Sequence, residues 1–292
     1  MEEIFVFYIV ALYNGIDILA PFQSIDTMVY ALLGLLQGIV EWLPISSEGQ
    51  TMLLAINAFN INPSLAFSLS IWAHLGTAGS VLIRFFRDWL DMFTGKTEES
   101  KILRKFVIIA TLFTAVTAIP LYFLIGEFLE NSIFGDIVSL IIGIFLVITG
   151  ILLTIMMEKL QGSRTTTDIT NKDSILAGLV QGVAILPGIS RSGVTNSYLL
   201  SRDYKADTAL YLSFLMSLPA IIAAAGFDFI QSDFQIPGDI TGIIVMIGVA
   251  FIVGLVTMEI LIRIAQKISF GYFCIAFGAV AIILVIIGLA FI

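Results

Sequence analysis

Two short polar segments interrupt a chain that is otherwise strongly apolar, and their side chains suit the binding of phosphate. The first carries Glu41 with Ser46 and Ser47, and the second carries Arg191 between two serines. An arginine at membrane depth costs about 2.5–3.5 kcal/mol on insertion scales, so it normally faces a polar cavity and has a partner. Its guanidinium matches the geometry of a phosphate group. Snorkelling to the bilayer surface is the alternative, but a Ser-Arg-Ser-Gly turn favours a role in binding.

Hydroxyl groups lie next to Arg191 in the sequence. Ser190, Ser192 and Thr195 are its neighbours, and a helix that starts around Val194 would direct free N–H groups at the same anion. The alternative for each hydroxyl is an ordinary helix cap or a contact between helices. Together with Arg191 they predict a phosphate-binding turn.

The first segment offers carboxylate and amide oxygens. Gln37 lies four residues before Glu41, so both project from one face of a helix. That face can hold a divalent cation, which would bridge to a diphosphate. A structural ion pair between Glu41 and Arg191 is the alternative. Glu48 is either a further metal ligand or a residue that faces the water outside.

Ser46 and Ser47 are candidate nucleophiles, and Glu41 is close enough in sequence to act as their base. His74 is the only histidine and lies in the middle of an apolar run. It is either a packing residue or the proton carrier of the site.

The elements that must position these residues are membrane helices. Of all residues 59% are hydrophobic and 12% are charged, whereas about 25% charged is usual for soluble domains. The net charge of -8 argues against a nucleic-acid partner, and a single cysteine, Cys274, excludes a disulfide framework. The N-terminus lacks the basic region of a cleaved signal peptide. The predicted fold class is an all-α, polytopic integral membrane protein.

Six stretches are long and apolar enough to span a bilayer. They cover 65–86, 106–126, 134–157, 208–226, 239–262 and 271–292. The two broken stretches, 31–58 and 175–200, are predicted to be re-entrant hairpins. Residues 1–26 form an N-terminal extension, either an interfacial helix or a weak span.

The two hairpins align without a gap at an offset of 144 residues, so that Leu32 matches Leu176 and nine of twenty positions are identical. We therefore predict two membrane repeats, 27–158 and 174–292, which together form one membrane domain. An odd number of spans separates the hairpins, so the second repeat is inverted. The hairpin tips should meet near the midplane, where such proteins bind ligands.

The predicted topology sorts the basic residues. Thirteen of the fourteen Lys and Arg residues fall in loops on one side, which is therefore the cytoplasmic side of the plasma membrane. The remaining one is Arg191. A full crossing by either hairpin would break this sorting, which supports re-entry.

The sequences of the two hairpins resemble those of a known family. QGIVEWLPISSEGQ at 37–50 and LPGISRSGVT at 186–195 are similar to the two signature motifs of the undecaprenyl-diphosphatase family, the BacA type. The resemblance covers the chain from about residue 31 to the C-terminus. It implies removal of the terminal phosphate from a polyprenyl diphosphate, with Mg²⁺ or Ca²⁺, at a site that opens toward the outer face. The product is the monophosphate carrier lipid, which is recycled for cell-envelope synthesis.

The resemblance also assigns roles to individual residues. Gln37 and Glu41 match the metal and diphosphate ligands, Ser47 matches the proposed nucleophile, and Ser190, Arg191 and Thr195 match the phosphate-binding motif. From the residues themselves we add Glu48 as a third candidate metal ligand, and Ser46, Gln50 and Ser192 as phosphate-binding residues. Glu41 and Arg191 are the expected catalytic partners of Ser47.

One position departs from the family pattern. Many bacterial members carry a histidine, assigned to catalysis, where this chain has Gln50, which cannot exchange a proton near neutral pH. Either that histidine is dispensable, or His74 or Glu48 replaces it, or hydrolysis is slow or absent. The sequence Ser-Glu-Gly-Gln resembles archaeal members.

Two other function classes stay open. A polyprenyl-phosphate transporter or flippase would also use an inverted repeat with broken helices. An ion or anion channel is disfavoured, because a single buried arginine does not form a ring of like charges. A homodimer is kept open as the oligomeric state.

Overall fold

The computed structural model describes residues 26–131, 135–156, 162–265 and 270–290. Within these ranges the chain forms eleven α-helices, one short 3-10 helix (Thr166–Asp168) and a single isolated β-bridge, between Arg164 and Tyr204. The all-α prediction is therefore confirmed. The predicted N-terminal extension lies outside the described residues, except for Asp26.

The helices follow the predicted order of hairpin and spans. In the first half they are α1 (Thr27–Val40), α2 (Ser47–Phe59), α3 (Pro63–Arg84), α4 (Phe86–Thr94), α5 (Glu98–Asn131) and α6 (Gly135–Met156). In the second half they are α7 (Asn171–Val183), α8 (Arg191–Ser201), α9 (Ala206–Gln231), α10 (Ile240–Ala265) and α11 (Phe270–Ala290).

Five of these helices, α3, α5, α6, α9 and α10, are long and apolar enough to cross a membrane, which supports a multi-pass membrane protein. The sixth predicted span corresponds to α11. Two helices have ends that differ from the predicted spans. The helix of the first span, α3, ends at Arg84, and Phe86 begins the separate helix α4. The helix of the second span, α5, is much longer than 106–126, because it continues into charged sequence at both ends.

Each hairpin breaks where the backbone turns sharply. In the first, Ser46 adopts a left-handed conformation (φ 59°) and its side chain caps α2 by accepting from the N–H of Gly49. In the second, Gly188 has φ 101°, and Ser190 caps α8 by accepting from the N–H of Gly193. The helix after this turn begins three residues earlier than Val194.

The first hairpin begins at one end of the helix bundle and the second at the other. At the start of α1, the Tyr30 hydroxyl accepts from the N–H of Asp239, just before α10. At the start of α7, Asp173 contacts Arg202 and Tyr204, just before α9. We call the latter the basic end and the former the opposite end. The two-repeat symmetry and its domain limits stay predictions.

Candidate active site

A cavity of about 240 Å³ lies where the two hairpin tips meet α3, α5, α7 and α9. Its polar lining residues are Glu41, Ser46, Ser47, Glu48, His74, Thr111, Thr114, Gln181, Ser190, Arg191 and Ser192. The rest of its wall is largely apolar. Most of the predicted site residues therefore share one cavity, although they come from sequence segments about 150 residues apart.

The two hairpin tips touch each other directly. The hydroxyl oxygen of Ser46 accepts from the backbone N–H of Gly188, at 3.1 Å, as well as from Gly49, at 3.3 Å. A Cβ atom on Gly49 would lie only 2.8 Å from the Gly188 nitrogen. This approach requires glycine at position 49. Ser46 therefore joins the two tips, and its predicted role in phosphate binding stays a prediction.

Glu41 is the centre of the polar network. It is 4% exposed, and its Oε1 accepts from Arg191 Nη2 at 2.5 Å. Its Oε2 accepts from the Ser47 hydroxyl at 2.6 Å and from Gln37 Nε2 at 2.8 Å. The ion pair considered as the alternative role for Glu41 is thus present, and both partners also line the cavity.

The Ser47 hydroxyl lies between two groups that can accept its proton. His74 Nε2 is 3.1 Å from Ser47 Oγ and 3.2 Å from Glu41 Oε2. His74 Nδ1 is 2.7 Å from the carbonyl oxygen of Ser70. Because a carbonyl only accepts, Nδ1 carries a proton, which leaves Nε2 to face Ser47. The lone histidine is therefore part of the site.

Residues of α8 and α9 hold Arg191 in place. Its Nη1 donates to the carbonyl of Ser213 at 3.3 Å. Thr195 is fully buried, and its hydroxyl donates to the carbonyl of Arg191 and contacts Ser213 Oγ, both at 2.7 Å. The guanidinium has five N–H groups, of which Glu41 and Ser213 use two. The others make no hydrogen bond to a residue that the structure describes.

Two helices begin at the cavity. The first residues of α2, Ser47 and Glu48, and the first residues of α8, Arg191 and Ser192, all line it. A helix N-terminus presents free N–H groups and about half a positive charge. Two helix N-termini beside Arg191 are groups of the kind that bind an anion such as phosphate.

The site has two buried carboxylates, Glu41 and Glu48, that are candidate ligands for a divalent cation. Among the described residues, no group of three or more His, Cys, Asp or Glu is arranged to hold a metal ion. Glu48 is nevertheless buried in the cavity wall, and its Oε1 has no hydrogen-bond partner in the described part of the chain. Mg²⁺ commonly uses one or two carboxylates plus substrate phosphates. Glu41 and Glu48 fit that pattern.

Three predicted site residues lie outside the cavity lining. Gln37 is fully buried and orients Glu41, while its Nε2 also contacts Thr77 at 3.4 Å. Gln50 is buried and donates to the carbonyl of Ile45 at 3.3 Å, within its own hairpin turn. Thr195 supports Arg191. Their predicted roles as ligands stay predictions.

Sequence reasoning missed several polar groups, among them Gln181 and Asp228. Gln181 lines the cavity, and its Nε2 donates to Thr114 Oγ1 at 3.0 Å and to the carbonyl of Met216 at 3.2 Å. It is the repeat counterpart of Gln37, so the alignment already contained this signal. Asp228 lies just beyond the predicted span 208–226 and is 1% exposed. A carboxylate next to an apolar run was the available signal.

Comparison with known protein families places this sequence in one of them. The sequence model of "Bacitracin resistance protein BacA" matches residues 30–283. The chain belongs to the BacA family. The match includes both hairpins and every residue named in the cavity.

Archaeal relatives are similar over most of their length. A protein from Methanothrix thermoacetophila named undecaprenyl-diphosphatase is 41% identical over 263 residues, which are 89% of this chain and 97% of the relative. Proteins of the same name from Methanopyrus kandleri (36%, covering 89% and 97%) and Sulfurisphaera tokodaii (32%, covering 86% and 94%) are also similar.

Proposed function

We propose that the chain hydrolyses a polyprenyl diphosphate of the undecaprenyl type to the monophosphate and inorganic phosphate. The observation that carries this proposal is the Ser47 hydroxyl, which lies between Glu41 and His74 in a cavity that also contains Arg191. A binding protein needs the anion site but not a serine between two proton acceptors. The name shared by the similar archaeal proteins supports the same reaction.

The arrangement supports a two-step displacement. Ser47 Oγ attacks the terminal phosphorus, and the bond from that phosphorus to the bridging oxygen breaks, so polyprenyl monophosphate leaves. The serine proton passes to Glu41 or His74. Water then attacks the phosphoserine and releases inorganic phosphate. Arg191 and the two helix N-termini stabilise the charge on the transferred group.

A divalent cation, Mg²⁺ or Ca²⁺, is part of the proposal. Glu41 and Glu48 would hold it beside the diphosphate. When bound, it offsets the charge of the phosphoryl oxygens and makes the phosphorus more susceptible to attack. The protein residues then orient the diphosphate and keep Ser47 in line with it.

We infer that the cavity has a side opening for a lipid tail between α5 and α9. There its wall is formed by Ala118 and Ile119 on one side and by Ala220, Ala223 and Ala224 on the other. Ile119 and Ala223 are exposed, as expected where such an opening meets the surrounding lipid. The small alanine side chains leave room for an isoprenoid chain. We therefore expect the substrate to enter sideways from the bilayer.

We expect the protein to lie in the plasma membrane, with its basic loops in the cytoplasm and its site open toward the outer face. The reaction would return the carrier lipid to cell-envelope synthesis.

The deciding test is phosphate release from undecaprenyl diphosphate by the purified protein in detergent, first with Mg²⁺ or Ca²⁺ and then with EDTA. We expect metal-dependent turnover in the wild type. Ser47→Ala and Arg191→Ala should each lower kcat/KM by a factor of about 10³ or more. Full activity in Ser47→Ala would exclude the proposed nucleophile, and activity unchanged by EDTA would exclude the cation.

Transport of a polyprenyl phosphate is the alternative, favoured by two hairpins that enter from opposite ends of the bundle. A transporter would move labelled lipid across liposomes without releasing phosphate. The same purified protein, tested in both assays, separates the two functions.

A further inference from the structure

A buried carboxylate outside the candidate active site joins three helices. Asp228, on α9, is 1% exposed. Its Oδ1 accepts from Ser68 Oγ at 3.0 Å and from the Tyr122 hydroxyl at 2.8 Å, and its Oδ2 accepts from Trp72 Nε1 at 2.9 Å. Ser68 and Trp72 belong to α3 and Tyr122 to α5. Over the described part of the chain, all its hydrogen-bond donors are neutral.

This carboxylate lies directly behind the wall of the cavity. Tyr122 itself lines the cavity, and so do Ile71 and Phe227, the chain neighbours of Trp72 and Asp228. The rings of Tyr122 and Phe227 pack edge to face, with centroids 5.2 Å apart. Asp228 is therefore next to this end of the cavity wall and bonded to one of its lining residues.

The bond between Tyr122 and Asp228 is a direct polar link between α5 and α9. An indirect link is made by Gln181 on α7, whose Nε2 donates both to Thr114 on α5 and to the carbonyl of Met216 on α9. On α5 the two links are eight residues apart, a rise of about 12 Å. The alanine-lined side opening lies between them, so the two links form the ends of its frame.

We propose that Asp228 is a positioning residue for the lipid tail: through Tyr122 it holds α5 at a set distance from α9 and so defines the width of the side opening. This inference rests on the proposed function, because it takes an isoprenoid chain as the occupant of that opening. A preformed opening spares the tail the cost of ordering its walls on binding. The effect should therefore appear in the affinity for long-chain substrates.

Two substitutions each remove one donor from Asp228, but only one of them releases α5. Tyr122→Phe keeps the aromatic ring and deletes the link to α5. Ser68→Ala deletes one of the two links to α3 and leaves α5 attached. Both substitutions therefore remove one hydroxyl donor from Asp228, but the first frees α5 and the second affects only α3.

The experiment measures kcat and KM of the full-length protein for undecaprenyl diphosphate and for isopentenyl diphosphate, which has a single isoprene unit. Tyr122→Phe should raise KM for the long substrate about fivefold, the factor expected for one lost hydrogen bond, with kcat and the short substrate unaffected. Ser68→Ala should leave the ratio of the two KM values unchanged. An equal effect of both variants, or an equal effect on both substrates, would overturn the proposal.

A conservative substitution adds a second readout. Asp228→Asn should keep the wild-type ratio, because its Oδ1 can accept from Trp72 while its amide donates to the hydroxyls of Ser68 and Tyr122. Asp228→Leu should behave like Tyr122→Phe or worse. A changed ratio of the two KM values in Asp228→Asn would show that the charge of Asp228 matters, and not its hydrogen bond to Tyr122.

Failure of the proposed function is separable from failure of this inference. If the wild type hydrolyses neither diphosphate, the phosphatase proposal fails. Equilibrium binding of undecaprenyl diphosphate to the same variants then provides the test, with the same fivefold weakening expected only for Tyr122→Phe. Equal binding by Tyr122→Phe and the wild type would overturn the role of Asp228.

Discussion

At the scale of single residues, the main question is which group receives the proton of Ser47. Gln50 occupies the position of the histidine in many bacterial members, but it turns toward the Ile45 carbonyl. His74, from a different helix, brings its Nε2 to 3.1 Å from Ser47 Oγ. Of the alternatives left open by the sequence, the geometry favours replacement of that histidine by His74. Glu48 lines the same cavity, although the Ser47 hydroxyl bonds to Glu41 and not to it.

We therefore predict that His74→Gln lowers kcat for diphosphate hydrolysis about 100-fold, a usual contribution of general acid–base catalysis, with little change in KM. The amide of glutamine is similar in size to the imidazole but cannot take up the serine proton near neutral pH. Steady-state kinetics at neutral pH provide the measurement. The matched control, Gln50→Ala, should lose much less activity, and the reverse order of the two variants would contradict this assignment.

The contact between the hairpin tips gives a second prediction at this scale. Gly49→Ala places a methyl group 2.8 Å from the Gly188 nitrogen, a backbone atom that cannot move without shifting the whole turn. We expect a loss of about 1–3 kcal/mol in stability, typical of overpacking, and loss of activity. Thermal unfolding in detergent measures the first effect.

Gly248→Ala is the control, because a Cβ atom at this helical position meets nothing within 4 Å. It should leave the unfolding temperature unchanged or slightly raised. Equal unfolding temperatures for the two variants would show that the tips do not pack as described.

At the scale of elements, the base of the second hairpin is held by one carboxylate at the basic end. Asp173 is fully buried and accepts from Arg164 Nη2 at 2.6 Å, from Arg202 Nε at 3.0 Å and from the Tyr204 hydroxyl at 3.0 Å. It also caps its own helix through Thr170. This network ties the start of α7 and the end of α8 to the loop at 162–170.

The charge of Asp173 makes this network sensitive to pH. Burial raises the pKa of its carboxyl, but hydrogen bonds from Arg164, Thr170 and Arg202 outweigh burial and hold the pKa well below its ordinary value of 3.8. A group with a lowered pKa in the folded state stabilises the fold fully above its ordinary pKa. That contribution is lost as the pH falls below 3.8 toward the folded-state pKa.

We predict that Asp173→Asn lowers the free energy of unfolding by about 2 kcal/mol at neutral pH, less than for a fully buried pair because both arginines are partly exposed. Unfolding temperatures in detergent should show the difference between wild type and variant shrinking below pH 3.8. Glu98→Gln, which removes an exposed pair with Lys101, should have almost no effect. A difference that grows on acidification would refute the explanation.

At the scale of the whole molecule, the two hairpins enter from opposite ends and their tips touch. This arrangement agrees with an inverted topology in which the basic loops share one side. Orientation in the cell membrane is then testable by cysteine labelling, since the native Cys274 is fully buried and should give little background.

We expect cysteines at the exposed positions Glu130 and Asp233 to react with an impermeant reagent added to intact cells. Cysteines at Lys101 and at Ser163 should react only after the membrane is permeabilised. Labelling of all four positions in intact cells would contradict the predicted topology.

Much of the fold follows from the sequence alone. A chain with long apolar runs must satisfy its backbone within helices, so the runs predict the helices and the polar interruptions predict the breaks. Pairing of Glu41 with Arg191 was also expected, as an alternative, because a buried charge needs a partner. Helix ends were less predictable, as α5 shows, because a helix can continue into charged sequence beyond the bilayer.

Only the tertiary structure showed which side chains of each hairpin face the cavity. Local sequence does not encode the rotation of a helix about its axis, which depends on packing against distant helices. For this reason Gln50 and Thr195 turned out to lie behind the wall, while His74 and Gln181 line it. The same holds for Asp228, whose three donors come from two helices more than 100 residues away in sequence.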